Sequence, residues 1–303
     1  MENEHIMVAD AHCDTLTKFP NNPFNGEGAA WTSEKFKKAN GTLQYMAIYT
    51  PPAYSGDSAL RFAAYNIGNF YRFKTNEINL IEKKEDYFND KINILLSLEG
   101  GSPIINEISH LYLFYKLGVR AMTLTWNHRN FIGDGVYESY GLTEFGKELI
   151  TEMEKLKMII DVSHLNEAGF DDITNTIRGP FIASHSNAFS IHNHCRNLKD
   201  EQIKEIIKRK GFIGLNFYST FIGELDDEIE KAFIKHVEHF MNLGAEDILG
   251  FGADYDGMDT TPFPDVSSYG NIYNILKDNL QLSDVTLEKI FYKNLLQFTL
   301  NNI

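Results

Sequence analysis

Cysteine is scarce in this chain of 303 residues, which contains only Cys13 and Cys195. Two cysteines do not make the disulfide framework of a small secreted domain, and they fit a reducing compartment. No apolar run reaches the roughly 20 residues that a membrane-spanning helix needs. The segment 1–5 is acidic and lacks the basic stretch and apolar core of a signal peptide. These absences predict a soluble cytoplasmic protein, unless a leader has been removed.

Positive charge is also in short supply. The chain has 28 Lys and Arg residues against 42 Asp and Glu residues, which gives a formal net charge of −14. Without a cluster of Lys and Arg, we expect no binding to nucleic acid or to an anionic membrane. The acidic excess either serves solubility or reflects carboxylates gathered around a cation, and composition does not separate these two explanations.

Internal repeats, linkers and low-complexity segments are missing too, so we interpret residues 1–303 as one domain. The chain instead alternates apolar runs of strand length with amphipathic helical patterns. The predicted strands cover residues 6–15, 43–49, 92–98, 121–126, 158–162, 181–183, 212–217 and 248–251. The predicted helices cover residues 58–81, 107–117, 143–155, 167–177, 199–209, 226–243, 269–280 and 284–300.

This alternation favours an α/β fold in which parallel strands are joined by helical crossovers. Eight strand–helix units in roughly 250–300 residues match the size of a (β/α)₈ barrel of the TIM type. A doubly wound open sheet is the alternative. It is disfavoured because no Gly-x-Gly-x-x-Gly turn follows the first strand.

The first predicted strand ends in His12-Cys13-Asp14. Residues two apart on a strand face the same way, so His12 and Asp14 are expected to point at one spot while Cys13 faces away. An imidazole beside a carboxylate is half of a site for a divalent transition metal. On its own this spacing is a weak signal, because it is common among surface residues.

Other predicted strands end in residues of the same kind. Glu99 follows the third strand, His164 the fifth, His185 the sixth, and Asp254 and Asp256 the eighth. In a barrel all of these residues lie on the rim where active sites are built. A group of carboxylates is costly to bury without a cation, and this set is large enough for two metal ions, with Glu99 able to bridge them. Each residue alone has an ordinary structural explanation; together they predict a metal centre.

Several segments, in order along nearly the whole chain, resemble the renal (membrane) dipeptidase family of zinc peptidases, peptidase family M19, within the amidohydrolase-like barrels. The segments that carry this resemblance are Asp10-Ala11-His12-Cys13-Asp14, Leu98-Glu99-Gly100-Gly101, Asp161-Val162-Ser163-His164, Ser184-His185-Ser186, Arg196-Asn197 and Gly252-Ala253-Asp254-Tyr255-Asp256-Gly257.

The resemblance implies a role for each matching residue. His12 and Asp14 would hold the first zinc ion, Glu99 would bridge both ions, and His164 and His185 would hold the second. Arg196 would bind the C-terminal carboxylate of the substrate, for which a planar guanidinium is well shaped. Asp254 would be the catalytic carboxylate beside the bridging water. A homodimer is also implied.

The chain departs from the family pattern after the fourth predicted strand. Mammalian members carry a substrate-contacting His after the Leu-Thr run, whereas here Leu124-Thr125 is followed by Trp126. An indole donates one hydrogen bond and cannot become cationic. His128, two residues further on, either reaches into the site from its loop or is a solvated loop histidine. Trp126 and His128 are therefore candidates for substrate binding and catalysis.

Three further groups of residues have simpler explanations. Asp256 would form the turn before Gly257. The row His192-Asn193-His194-Cys195 is interpreted as loop packing or substrate lining, not as a third metal site. His236 and His239 are expected on a solvated or interface face of an amphipathic helix.

The residues and the resemblance together predict a zinc-dependent dipeptidase in which a hydroxide shared by two Zn²⁺ ions attacks the peptide bond of a dipeptide. Asp254 would move the proton of the water to the leaving amine. Because of Trp126, a related binuclear amidohydrolase that acts on a lactone, an N-acyl amino acid or another amide is the first alternative. A metal-binding protein without catalysis is the second.

Overall fold

The computed structural model describes residues 6–224 and 228–303. Every pairing between its strands is parallel. The strands are β1 (Val8–Cys13), β2 (Gly41–Tyr49), β3 (Ile78–Leu80), β4 (Ile92–Glu99), β5 (Val119–Thr123), β6 (Ile159–Asp161), β7 (Ile182–Ala183), β8 (Phe212–Leu215) and β9 (Leu249–Phe251).

The sheet closes into a barrel. Its strands follow the order β2-β1-β9-β8-β7-β6-β5-β4-β3, and β2 also pairs with β4. β3 pairs with β4 at the edge, so the other eight strands form the closed ring. The predicted (β/α)₈ barrel of the TIM type is thereby confirmed, and the open-sheet alternative is wrong.

Helices cover the outside of the barrel. They are α1 (Thr15–Lys18), α2 (Ser33–Lys38), α3 (Asp57–Phe73), α4 (Ile108–Lys116), α5 (Glu144–Leu156), α6 (Glu167–Thr176), α7 (Asp200–Lys208), α8 (Ser219–Ile222), α9 (Ile229–Asn242), α10 (Tyr269–Leu280), α11 (Asp284–Glu288) and α12 (Asn294–Asn302). Short 3₁₀ turns cover Lys84–Asp86, Ser102–Ile104 and Val266–Ser268, and a π-helical turn, Lys289–Lys293, joins α11 to α12.

Two predicted helices differ from the observed ones. The helix predicted over 58–81 is wrong at its end, because α3 stops at Phe73 and Ile78–Leu80 pairs with Ile92–Ile94 of β4 as the added strand β3. The helix predicted over 226–243 begins outside the described residues, as does the acidic segment 1–5. Within the described residues it starts at Ile229.

The strands are buried on both faces, which explains why they read as continuous apolar runs. One buried cluster contains Leu43 and Tyr45 of β2 and Phe212 of β8, with Phe298 of α12 packed against them. The alternate strand residues join a larger cluster with the inner faces of the helices. Side-chain caps fix where helices begin: Thr143 Oγ1 accepts from Gly146 N at the start of α5.

None of the helices in the described part of the chain combines the length and the hydrophobicity that crossing a bilayer requires. Parallel strands place all their C-terminal ends on one rim of the barrel. The residues that end β1, β4, β6, β7 and β9, or follow them within a few positions, therefore share that rim.

Candidate active site

His12 lies at the centre of a group of carboxylates on the C-terminal rim. Its Nε2 atom is 3.5 Å from Asp14 Oδ2, 3.4 Å from Glu99 Oε2 and 3.8 Å from Asp254 Oδ1. His12 is 1% exposed, so these charges meet where water has little access. The convergence of His12 and Asp14 that their spacing predicts is present in the structure.

Glu99 faces a second group with its other oxygen. Glu99 Oε1 is 3.1 Å from His164 Nε2 and 4.0 Å from His185 Nε2. The two imidazole Nε2 atoms are themselves 2.8 Å apart. One carboxylate thus stands between His12 on one side and the pair of histidines on the other, which is the arrangement that a bridging ligand needs.

Unpartnered buried atoms test whether a metal fits this arrangement. Within the described residues, His12 Nε2 and Asp14 Oδ1 are buried and have no hydrogen-bond partner. Buried polar atoms rarely lack a hydrogen-bond partner, because leaving one unsatisfied costs about 1–3 kcal/mol of stability. Imidazole nitrogens and carboxylate oxygens are the ligands of Zn²⁺ and similar ions. The sets His12–Glu99–His185 and His12–Asp14–Asp254 each bring three such atoms within 4.8 Å of one another.

The histidines differ in protonation. Burial lowers the pKa of His164 and of His185 well below the usual value, so both are neutral and have a lone pair for a metal. Burial also acts to lower the pKa of His12, but the neighbouring Glu99 carboxylate overrides it and raises that pKa well above the usual range. His12 therefore holds a proton that a metal would replace.

Two carboxyl groups are also shifted towards the protonated form. Burial, followed by repulsion from Glu99, raises the pKa of Asp14 to about 6. Burial raises the pKa of Asp254 to about 8, against the attraction of the His12 side chain. In the absence of a cation, protons thus balance part of the negative charge of this cluster.

Loading the protein with zinc at pH 7 is expected to release about one to two protons per chain, because the ions displace protons from Asp254 and His12. Groups whose pKa lies above the solution pH are protonated before binding, so the release from Asp254 should shrink once the pH exceeds about 8. Calorimetric titration in buffers of different ionisation enthalpy measures this number. Asp254→Asn should release one proton fewer, and an absence of release at pH 7 contradicts the expectation.

Asp10 belongs to a quoted sequence motif but was given no role there; in the structure it fixes the backbone at His12. It is fully buried, and its Oδ1 accepts from His12 N at 2.8 Å. Its Oδ2 accepts from Ala253 N at 3.0 Å and from the hydroxyl of Tyr269. Asp10 thus ties β1 to the segment that carries Asp254. The sequence feature that could have indicated this role is an acidic residue inside the apolar run of β1.

Asp161 fixes the backbone next to His164 and His185 in a similar way. Its Oδ1 accepts from Ser163 N and from Ser184 N, each at 3.0 Å, which joins the ends of β6 and β7. Ser184 Oγ donates to Asp161 Oδ2 and lies 2.7 Å from His185 Nδ1. A hydrogen bond at Nδ1 orients a ligating imidazole. The role of Asp161 was likewise not predicted.

Gly257 approaches the carboxylates so closely that a side chain has no room. A Cβ atom at this position would lie 2.1 Å from Asp14 Oδ2 and 2.6 Å from Asp254 Oδ1. The preceding Asp256 forms more than the predicted turn: its Oδ1 accepts from Ala30 N at 2.7 Å and its Oδ2 from Thr15 Oγ1 at 2.5 Å. Asp256 therefore holds the loop before α2 against the rim.

Arg196 lies beside the histidine pair and is 3% exposed. Its guanidinium donates to His185 O at 3.3 Å and stacks 5.3 Å from the ring centre of Phe221. Its Nε is buried without a partner among the described residues. Arg196 lines a cavity of about 390 Å³. His164 lines both this cavity and a second one that contains Asp14, Glu99 and Asp254, which we call the metal-facing cleft. A buried guanidinium with an unused N–H can receive an anion in the first cavity.

The metal-facing cleft has an aromatic wall. Its volume is about 390 Å³, and the aromatic residues that line it are Tyr49, Phe62, Trp126, Tyr218 and Phe221. The rings of Tyr49 and Trp126 lie 5.3 Å apart. Trp126 therefore belongs to the cleft wall and presents an apolar surface to a substrate.

His128 does not reach into this cleft. Its side chain is 58% exposed, and its Nδ1 lies 3.2 Å from Glu138 Oε1. It lines another cavity, to which Trp126 also contributes. Of the two readings that the sequence left open, this placement matches the solvated loop histidine.

His236 and His194 have structural roles. The expectation of a solvated or interface position for His236 is wrong, because its side chain is fully buried. His236 Nδ1 accepts from Ala188 N at 3.1 Å and its Nε2 donates to Ile222 O at 2.9 Å. Burial lowers the pKa of His236 to about 4, so it stays neutral in this role. His194 accepts from Arg196 N at 3.1 Å, in agreement with loop packing.

Comparison with known proteins gives matches over nearly the whole chain. A model of the membrane dipeptidase family, peptidase family M19, matches residues 3–301. A Klebsiella pneumoniae protein, described as an uncharacterized protein in the pqqA 5′ region, is 33% identical over 227 residues, which cover 70% of this chain and 83% of that protein. An uncharacterized dipeptidase of Schizosaccharomyces pombe is 30% identical over 222 residues, covering 71% of this chain and 54% of the yeast protein. This chain thus spans about half the length of the yeast relative.

A solved structure shares the fold. It is described as a metallopeptidase from Rhodobacter sphaeroides liganded with a phosphinate mimic of the dipeptide L-Ala-D-Ala. The two folds superpose with a TM-score of 0.91 at 24% sequence identity, over 99% of each chain. At this identity the likeness concerns the barrel architecture.

Proposed function

The chain belongs to the membrane dipeptidase family, peptidase family M19, and we propose that it hydrolyses the peptide bond of dipeptides with the help of two Zn²⁺ ions. Membership of this family makes the chain a metal-dependent hydrolase. The observation that carries the finer proposal is the position of Glu99, whose two oxygens face His12 at 3.4 Å and His164 at 3.1 Å. His12 and Asp14 would hold one ion, His164 and His185 the other, and Glu99 both.

Bound Zn²⁺ ions would lower the pKa of a water molecule and polarise the scissile carbonyl. Asp254 would accept a proton from the attacking water and deliver it to the amine nitrogen that leaves. Asn216 Nδ2 donates to Asp254 Oδ2 at 3.0 Å, so one oxygen is anchored and Oδ1 faces His12. Once bound cations have displaced its proton, Asp254 would be ionised and able to accept a proton from the water.

Arg196 would bind the C-terminal carboxylate of the dipeptide. It is buried, and its Nε is unpartnered in the described part of the chain. Since it lies beyond His164, the C-terminal residue of the substrate would extend from the metal-facing cleft along His164 towards the guanidinium. In this proposal the substrate is two residues long, because its C-terminal carboxylate would end at the guanidinium.

Blocking the substrate carboxylate as an amide is expected to lower kcat/KM by about 10²–10³, which is the loss of one buried charge-assisted contact. A tripeptide with the same first two residues should lose as much. Arg196→Lys should weaken turnover of the free dipeptide and leave the amide nearly unaffected. Equal turnover of dipeptide, amide and tripeptide would remove the Arg196 contact from the mechanism.

The proposal as a whole is tested by elemental analysis of the zinc-loaded protein together with a dipeptide assay before and after chelation. We expect about two zinc ions per chain and activity that chelation removes and zinc restores. Fewer than about one ion per chain contradicts a binuclear centre. A panel that includes lactones and N-acyl amino acids tests the related amidohydrolase activity. We consider this activity because Trp126 presents an apolar surface to the substrate.

The cellular setting forms part of the same proposal. We propose a cytoplasmic enzyme with a small-molecule substrate. Both cysteines are free, with Cys13 buried and Cys195 exposed, which suits a reducing compartment. The homodimer that the family resemblance implies is measurable by light scattering of the zinc-loaded protein.

A further inference from the structure

Lys18, the last residue of α1, is the one Lys or Arg among the described residues that line the metal-facing cleft. It is exposed, and its ammonium group forms no ion pair within residues 6–224 and 228–303. Tyr49 and Phe62 line the same cleft, and α1 contacts the elements that carry them, β2 and α3. An unpaired ammonium near apolar side chains can receive the carboxylate of a ligand whose carbon chain packs against them.

Four carboxylates line the same cleft, and each already has partners of its own. Asp14, Glu99 and Asp254 lie within 3.8 Å of the His12 side chain, where they would also face the metal ions. Asp256 accepts hydrogen bonds from two backbone N–H groups and one hydroxyl. Within the described part of the chain, the charge in this cleft that is left for a substrate is therefore the positive charge of Lys18.

Strand order places Lys18 across the barrel mouth from the side where Arg196 lies. Around the closed ring the strands follow one another as β1, β2, β4, β5, β6, β7, β8 and β9. Lys18 comes shortly after β1, and His164 comes shortly after β6, which is directly opposite in this ring. Arg196 follows β7 and lines the cavity that meets the cleft at His164. A substrate that starts at Arg196 and passes the metal ligands therefore runs towards Lys18.

A dipeptide with its carboxylate at Arg196 and its peptide bond at the metal ligands has its N-terminal residue on the side of Lys18. Resting on the proposed dipeptidase function, we propose that Lys18 is a specificity-determining residue whose ammonium group pairs with a carboxylate in the side chain of that N-terminal residue. Dipeptides that begin with Glu or Asp are then preferred over neutral dipeptides of the same shape. Tyr49 and Phe62 contact the methylene groups of the same side chain.

The size of this preference follows from the exposure of Lys18. Water and salt screen an exposed ion pair, so the gain in kcat/KM for an acidic side chain is about threefold to tenfold. The whole chain has a formal net charge of −14, which repels an anionic substrate at long range. A preference for an acidic dipeptide therefore depends on a cation close to the substrate, which in this cleft is Lys18.

The test compares Glu-Ala with Gln-Ala, which have the same shape and differ in charge. The Gln-Ala solution is made fresh, because N-terminal Gln cyclises. With the zinc-loaded wild type in dilute buffer, the ratio of the two kcat/KM values should be about 3–10, mainly through KM, and should fall towards one in about 1 M NaCl. Both substrates are assayed on one preparation, so the ratio does not depend on the fraction of protein that is folded or loaded.

Three substitutions of Lys18 give the expected order of ratios. Lys18→Arg keeps the charge and should keep the preference, Lys18→Met should bring the ratio to about one, and Lys18→Glu should bring it below one. Lys38→Met is the matched control. It removes the same charge from α2, where Lys38 is exposed and pairs with Glu34 outside the cleft, and it should leave the ratio at the wild-type value.

The outcomes that overturn the inference differ from those that overturn the function. A zinc-loaded wild type that hydrolyses neither dipeptide, nor any other, overturns the proposed function. An active wild type with a ratio of about one or less, or with the same ratio in Lys18→Met, overturns the role of Lys18 alone. An equal fall of the ratio in Lys38→Met and Lys18→Met also overturns it, because the preference would then come from net charge rather than from a contact.

Discussion

Replacing Asp254 with Asn is expected to lower kcat for dipeptide hydrolysis by about two to four orders of magnitude, because the amide can neither accept the proton of the water nor deliver it to the leaving amine. The substitution keeps the shape of the side chain. Asn216 Nδ2, which donates to Asp254 Oδ2 at 3.0 Å, can still be met by the amide oxygen of the variant. The measurements are steady-state kinetics and zinc content of the same preparation.

Asp256→Asn is the matched control, since it changes a carboxylate two residues away on the same loop. Asp256 accepts hydrogen bonds from Ala30 N and Thr15 Oγ1, so its loss should lower the free energy of unfolding by about 1–3 kcal/mol. We expect kcat per folded molecule to stay within about threefold of wild type. Similar kcat values for Asp254→Asn and wild type would exclude Asp254 as the proton carrier.

Replacing Glu99 with Gln is expected to reduce bound zinc from about two ions to one or fewer per chain and to lower activity at least about 10³-fold. Glu99 is 4% exposed, and its two oxygens face the two halves of the site. Gln preserves its volume but removes the charge and one ligand oxygen. Removing the negative charge of Glu99 also leaves the buried His12 side chain with less opposite charge around it.

Elemental analysis after extensive dialysis measures this effect, and activity at rising zinc concentrations shows whether the second ion can be forced to bind. Glu138→Gln is the control, because Glu138 is a carboxylate of the same rim that pairs with His128. It should keep about two ions and near-wild-type kcat. Retention of two ions in Glu99→Gln would contradict the bridging role.

Most of the barrel could be predicted from the sequence because its strands are buried on both faces and its helices have one apolar face. Such patterns are local. Ile78–Leu80 was assigned to a helix because its pairing partner, Ile92–Ile94, is a distant part of the chain. The closure of the barrel through β2 and β4 is likewise a non-local pairing that no single apolar run specifies.

The candidate metal site could be predicted from the sequence for a related reason. Parallel strands joined by helical crossovers send their C-terminal ends to one rim, so the order of elements alone brings His12, Glu99 and His164 near one another. The supporting acids Asp10 and Asp161 were not assigned roles, because their partners are backbone N–H groups of neighbouring strands. Those pairings exist only after the barrel has closed.

The sequence by itself determined the fold class and the set of residues that end the strands, including the His12-Cys13-Asp14 segment, because both follow from local periodicity. Tertiary structure decided which loop side chains face the cleft. Trp126 and Asn127 line the cleft, whereas the next residue, His128, pairs with Glu138 away from it. Loop backbone has no fixed period, so the direction of a loop side chain is set by its packing rather than by its position in the sequence.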